Sequence, residues 1–282
     1  MARWWVKKAA RQAAVLGSWA SGSMVARRAV RRRPRVRALT YHRVGYEPRE
    51  AFCVTPEAFD AQMRFLAERG LAVSLAQVQA FVAGRETLPD GACLVTLDDG
   101  CISTLDPALP ILERHGVPAV AFITTSLVGA NIEELPERFL TWDEIRAVAA
   151  SGLVAIGSHA FTHRSLGMMD PEEARDEARR SRETLEEHLG HAVASFAYPF
   201  GTRGDFSPVT ERGLADAGYA IAFNSMHGTI KPGMDPISLP RVKVEGGEGQ
   251  WMFELLSQGA MDAWRVVDHN LFHLQRVRTE LE

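Results

Sequence analysis

Cysteine is scarce. Cys53, Cys93 and Cys101 are the whole complement in 282 residues, an odd number too small for a disulfide framework. Cys93 sits inside an apolar run and reads as a small buried hydrophobe, and Cys101 as packing material. No run of eighteen apolar residues occurs, so the signature of a membrane-spanning helix is missing. There is no internal repeat and no low-complexity stretch beyond one arginine block. The apolar fraction of 46% and charged fraction of 24% are those of an ordinary globular protein. The length suits one large α/β domain or two small ones.

Acid is absent from the first stretch of chain. Residues 1–37 carry 11 Lys/Arg and no Asp or Glu, while the remainder holds 21 bases against 35 acids, a net of −14. An acidic body argues against nucleic acid as a partner. The basic start followed by the uncharged residues 12–26 superficially matches an export signal. Its apolar part, Ala13-Ala14-Val15-Leu16, is short and is cut by Gly17, Ser18, Ser21, Gly22 and Ser23, and an arginine block follows. The expectation is therefore a cytoplasmic protein, with export as the alternative. Residues 1–35 read as a basic leader, either a solvated tail or a segment resting on an anionic membrane through Trp4, Trp5 and Trp19. The oligomeric state is not readable.

What is present centres on Thr96-Leu97-Asp98-Asp99-Gly100. The run Ala92-Cys93-Leu94-Val95 leads into it between Pro89-Asp90-Gly91 and Gly100, which reads as a buried parallel strand. Two adjacent carboxylates at a buried strand end cost desolvation energy unless a cation or metal pairs them. A helix cap would need one aspartate, not two. The matching piece is Gly157-Ser158-His159-Ala160-Phe161-Thr162-His163, after the apolar Leu153-Val154-Ala155-Ile156. Two histidines four apart can converge on one metal, and two imidazoles with one carboxylate leave open coordination positions, as in a catalytic site. A third apolar strand, Ser195-Phe196-Ala197-Tyr198, ends in Pro199-Phe200-Gly201.

Between these pieces strand and helix patterns alternate. Thr55-Pro56-Glu57 and Asp170-Pro171-Glu172 open helices, and Thr141 with Glu144 forms a predicted capping box. The long helix from Asp170 to about Leu189 is dense in Glu and Arg and carries no expected site. From about residue 250 the pattern is helical, with Trp251, Phe253, Leu255, Trp264, Val267, Leu271 and Leu274 as packing residues. Buried strands alternating with helices imply a parallel sheet, and active groups at several strand ends suit a barrel with its chemistry at the C-terminal face.

The three motifs, in this order and spacing, resemble the polysaccharide deacetylases of carbohydrate esterase family four. The likeness runs from about Val36 to Val244 and includes Leu39-Thr40-Tyr41-His42-Arg43-Val44, Leu140-Thr141-Trp142-Asp143-Glu144-Ile145 and Leu239-Pro240-Arg241-Val242. The resemblance implies an α/β fold, a distorted, incomplete (β/α) barrel over residues 36–282. It implies a hydrolase removing acetyl groups from an N- or O-acetylated carbohydrate. Asp99, His159 and His163 would hold one divalent ion, most simply Zn2+, with Asp98 as general base and the backbone at Phe200 as oxyanion donor. Departures are visible too. Ala197 stands where many members have an arginine paired to the base, and Arg241 is the expected substitute. No late Leu-x-His supplies the acid; His42 is the candidate, and His227 a weaker one. Ala160 replaces a frequent hydroxyl residue. A catalytically impaired glycan-binding member tethered by its leader is the alternative; an Fe(II) facial triad is a further one, but it leaves Asp98 without a task.

Overall fold

A computed structural model gives the structure of the protein and describes residues 2–22, 34–47 and 50–270. Residues 23–33 of the leader, and Leu271 and Leu274, lie outside the described residues. In chain order the strands are β1 (Arg37–Tyr41), β2 (Arg43–Val44), β3 (Cys53–Val54), β4 (Cys93–Leu97), β5 (Ala119–Ile123), β6 (Val154–Ser158), β7 (Ser195–Ala197), β8 (Ile221–His227) and β9 (Leu239–Lys243). Among the described residues the α-helices are α1 (Ala2–Ala20), α2 (Pro56–Glu68), α3 (Leu75–Val82), α4 (Ala108–His115), α5 (Trp142–Ala150), α6 (Pro171–Leu189), α7 (Pro208–Asp216), α8 (Gln250–Ser257) and α9 (Arg265–Asn270).

Seven strands close into a barrel in the order β1-β4-β5-β6-β7-β8-β9, every neighbouring pair parallel. That is one strand fewer than the eight of a full (β/α)8 barrel. Closure runs through β9 on β1, with Ala38 opposite Arg241 and Thr40 opposite Lys243. Strand alternation sorts the side chains. Ala38, Leu94, Phe122, Ala197, Phe223 and Leu239, from six of the strands, share one interior cluster. Their neighbours Leu39, Val95, Ala121 and Val242 instead pack under α2, α4 and α8. Val78, Phe81 and Val82 of α3 join the interior set beside Val36 and Ala92, so they plug the end at which the strands begin. The other end is left for polar groups.

Local sequence explains the helix starts. Thr55 accepts from the Ala58 N–H with Pro56 at the first turn. Thr141 and Glu144 form a reciprocal capping box, and Asp170 accepts from the Glu172 N–H ahead of Pro171. Phe253 meets Phe65 edge-on at 5.8 Å, and Leu255 is partly buried against the same core, whereas Trp251 is left exposed. The helical part of the leader, α1, lies on the protein: Val15 is fully buried in the outer core, and Arg11 pairs with Glu245 and Glu248 just past β9.

Close packing at β6 makes one position sensitive. A Cβ on Gly157 would stand 2.6 Å from two atoms of the Phe122 ring and 2.6 Å from the Ser195 hydroxyl, with no flexible tip to give way. Gly157→Ala is expected to cost about 1–3 kcal/mol of stability, read as a lowered melting temperature.

Candidate active site

The end where β4, β6 and β9 finish collects the charged groups. Asp98 follows β4 directly, and its N–H donates to the Tyr41 carbonyl at 2.9 Å. Its carboxylate is 2% exposed as a residue and is held by Arg241 of β9. Nη1 donates to Oδ1 and Nη2 to Oδ2, each at 2.7 Å, a two-pronged geometry only a guanidinium supplies. The fork is itself fixed, since Nε donates to the Asn224 carbonyl at 3.0 Å and Nη1 to the Thr96 hydroxyl at 3.2 Å. Burial pushes the Asp98 carboxyl upward; the Arg241 charge and hydrogen bonds, with His159, outweigh it and hold the group below the usual carboxylate range.

Asp99 points the other way along the chain and meets the histidines. Its Oδ1 lies 3.4 Å from His159 Nε2 and 3.3 Å from His163 Nε2, and one donor atom from each of the three falls within 4.8 Å of the others. A charge-assisted N–H···O contact closes to about 2.7–2.9 Å. Two donors each about 2.0–2.1 Å from one ion at the tetrahedral angle stand about 3.3–3.4 Å apart. The spacing is one at which the three side chains could share an ion. Burial opposes ionisation of Asp99, but in the ion-free protein the protonated imidazoles of His159 and His163 outweigh it and hold its carboxyl well below the ordinary range.

The histidines are aimed by their surroundings. His159 Nδ1 is 2.7 Å from the Ala197 carbonyl. A carbonyl can only accept, so Nδ1 carries a proton, and in the neutral ring Nε2 then presents its lone pair to the cluster, the orientation a ligand needs. The rings of His159 and His163 meet edge-on with centroids 5.0 Å apart, and His163 meets Phe200 the same way at 5.0 Å. Asp99, Ala160, His163 and Phe200 have φ of 74°, 63°, 64° and 58° and are the non-glycine residues in the left-handed region among those described. Each such residue costs on the order of 1 kcal/mol or more, and strain of this kind collects at functional sites. Among the described residues the Phe200 N–H donates to no backbone acceptor.

His42, just past β1, lies against Phe52 with ring centroids 4.7 Å apart. Burial, with Lys243 and Arg241, pushes its pKa down against the upward pull of Asp99 and Asp98. His227 sits elsewhere on β8: its N–H donates to Asp268, its charged neighbours are Arg11, Asp262, Arg37 and Lys243, and burial pushes its pKa down to about 3. Cys101 is buried and bridged to Phe139; desolvation pushes its thiol well above the ordinary value, so it offers no thiolate. Neither aspartate caps a helix, since the short turn at Ile102–Thr104 begins after Cys101 without a side-chain cap.

Several residues that hold this site have no motif to mark them. Glu177 of α6 accepts from the Thr162 N–H at 2.9 Å. Ser181, one turn on, bonds both Ser158 at 2.7 Å and Thr125 at 2.9 Å. Both share the buried stripe of Ala174, Ala178 and Leu185, and that i, i+4 pairing of a polar residue with an apolar stripe was the available signal. Asp205 joins the two loops that carry His163 and Phe200: it accepts from Ser165 Oγ at 2.7 Å and from the Thr202 N–H at 2.8 Å.

A parallel (β/α) barrel with a carboxylate–imidazole cluster and a second, arginine-held carboxylate at its C-terminal rim is the layout of a barrel enzyme. The chain belongs to the polysaccharide deacetylase family, whose model matches residues 85–222. Residues of this chain are 33% identical over 136 positions to the poly-beta-1,6-N-acetyl-D-glucosamine N-deacetylase of Escherichia coli K12, covering 44% of this chain and 20% of that protein. The Bacillus subtilis protein YxkH is 23% identical over 195 residues, 69% of this chain and 66% of YxkH. Among solved structures, IcaB from Ammonifex degensii superposes with a TM-score of 0.69 at 28% identity, covering 80% of this chain and 97% of that one.

Proposed function

We propose that the protein is a metal-dependent hydrolase that removes acetyl groups from an N- or O-acetylated carbohydrate. A polymer of N-acetylglucosamine is the favoured substrate class, because the Escherichia coli relative is named for one. The observation that carries the reading is the pairing of two differently held carboxylates. Asp99 shares a cluster with His159 and His163, while Asp98 beside it is ionised by Arg241 and is not one of the three donors.

Asp99, His159 and His163 would hold the ion, with Zn2+ the simplest occupant for two imidazoles and one carboxylate. When bound, it polarises the acyl carbonyl and lowers the pKa of water at the site. Asp98 takes the proton from the attacking water as the new C–O bond forms. Arg241 keeps Asp98 in the form that can accept it. The Phe200 N–H donates to the oxygen that becomes negative in the tetrahedral intermediate. His42, whose lowered pKa leaves it neutral at the start, takes up the proton that Asp98 removed from the water and passes it to the sugar nitrogen or oxygen as its bond to the acyl carbon breaks, leaving acetate. Retention of base, arginine and all three donors argues against an impaired glycan-binding role. A barrel scaffold and an occupied task for Asp98 argue against the facial-triad alternative.

Acetate release from acetylated oligosaccharides tests the reading. Stripping divalent ions with a chelator is expected to abolish release, and stoichiometric Zn2+ to restore it; full release from the stripped protein would refute metal dependence. His42→Gln is expected to lower kcat by about 10²-fold or more with ion binding unchanged. A variant with wild-type kcat removes His42 as the acid.

A further inference from the structure

A surface helix ordinarily turns its apolar stripe inward and its charges out. From residue 8 onward α1 turns its charged residues, Lys8 and Arg11, inward beside Val15. Its buried residues are Lys8, Arg11, Val15 and Ser18, three or four apart on one face. Lys8 Nζ donates to the Gly246 carbonyl. Arg11 bonds Glu248 at 2.8 Å and the Lys243 carbonyl at 3.0 Å, and stands 3.4 Å from Glu245. The outward face is Ala9, Ala10, Ala13, Leu16, Gly17, Trp19 and Ala20, all exposed and none charged. Leu16 is 47% and Trp19 58% exposed, and α8, against which α1 packs, carries the 43% exposed Trp251.

We infer that the outward face of α1 is a docking surface for an anionic lipid bilayer, with the helix lying along the interface. A buried arginine is tolerable only when fully paired, and here the pairing fixes which side of the helix faces out. An uncharged Leu/Trp face is stable in the headgroup–acyl boundary, where tryptophan is favoured. Charge selects the occupant. The helix is followed in sequence by Arg27, Arg28, Arg31, Arg32 and Arg33 with no acid among residues 1–37, while the rest of the chain is strongly acidic. An arginine run next to an apolar helix in the sequence is attracted to anionic lipid, and the acidic body is repelled, so the charge pattern favours contact through this part of the chain. The described helices include none long and apolar enough to cross a membrane, which makes α1 a surface helix. Its anchor points are Lys243, which ends the strand that carries Arg241, and Glu245, Gly246 and Glu248 just past it, so docking holds the active rim beside the lipid.

The test is co-sedimentation of the full chain with vesicles of phosphatidylcholine alone and of phosphatidylcholine with phosphatidylglycerol, which reads protein mass and is independent of any deacetylase activity. The chain is expected to sediment with the anionic vesicles and to remain in solution with the neutral ones at physiological salt. Leu16→Gln/Trp19→Gln is expected to weaken partitioning at least tenfold with an unchanged melting temperature. Arg31→Gln/Arg32→Gln/Arg33→Gln is expected to weaken it by on the order of a hundredfold, about fivefold per arginine. Failure of the chain to bind anionic vesicles overturns the inference, as does undiminished binding by either variant. A dimer in solution that Leu16→Gln/Trp19→Gln dissociates also overturns it, by assigning the face to a second copy.

Discussion

Asp98→Asn is expected to reduce acetate release by about 10²- to 10⁴-fold while leaving the ion bound. The asparagine is nearly isosteric and keeps an oxygen to accept from Arg241, but its amide cannot take a proton from water. The three donors Asp99, His159 and His163 are untouched, because Asp98 faces Arg241 and its carboxylate belongs to a different set of contacts. The substitution also leaves the 0%-exposed guanidinium of Arg241 without its counter-charge, so a loss of stability on the order of 3 kcal/mol accompanies the kinetic effect. Ion content, melting temperature and turnover measured on the same preparation separate these. Turnover within a few-fold of wild type would remove Asp98 as the base.

Arg241→Ala carries the second large effect, on both stability and rate. Truncation strands a buried carboxylate and also leaves the Asn224 carbonyl and Thr96 hydroxyl without their donor. Breaking a buried pair in this way costs about 3–5 kcal/mol, on the order of ten degrees of melting temperature for a domain of this size. Without Arg241, the strongest pull holding Asp98 ionised is gone, and burial shifts it toward the protonated, inactive carboxyl against His159 and His42 alone. Turnover at neutral pH should therefore fall with it. Arg241→Lys supplies one charge but no fork, and is expected to recover part of the stability and less of the rate. A melting temperature for Arg241→Ala equal to wild type would contradict the buried-pair account.

The legible parts of this protein were those in which chemistry is written locally. Apolar runs bounded by turn residues marked β4, β6 and β7, because buried parallel strands have no polar face to interrupt them. Thr55-Pro56, Thr141 with Glu144, and Asp170-Pro171 marked helix starts, because a cap is set by side chains within three residues of the bond it makes. The Asp98-Asp99 pair and the two histidines stood out because such groups at buried strand ends need partners. What was not legible depends on contacts between distant segments. That Arg241 reaches Asp98 across 143 positions follows from barrel closure of β9 on β1; no local pattern encodes it, and only the family resemblance pointed to Arg241. That Asp205 clasps the loops of His163 and Phe200 depends on two turns meeting in space. The direction in which α1 presents its faces was also hidden, since its basic residues suggested a solvated side until Glu245 and Glu248 were placed beside Arg11. The left-handed backbone at Asp99, His163 and Phe200 had no glycine to announce it.

The central claim is that Asp99, His159 and His163 form one ion site distinct from the Asp98–Arg241 pair. Calorimetric titration of Zn2+ into the metal-stripped protein tests it most directly, comparing wild type with Asp98→Asn and His163→Ala. One ion per chain is expected for wild type and for Asp98→Asn, and none at that site for His163→Ala. Loss of binding in Asp98→Asn, or retention of stoichiometric binding at wild-type affinity in His163→Ala, would contradict the account.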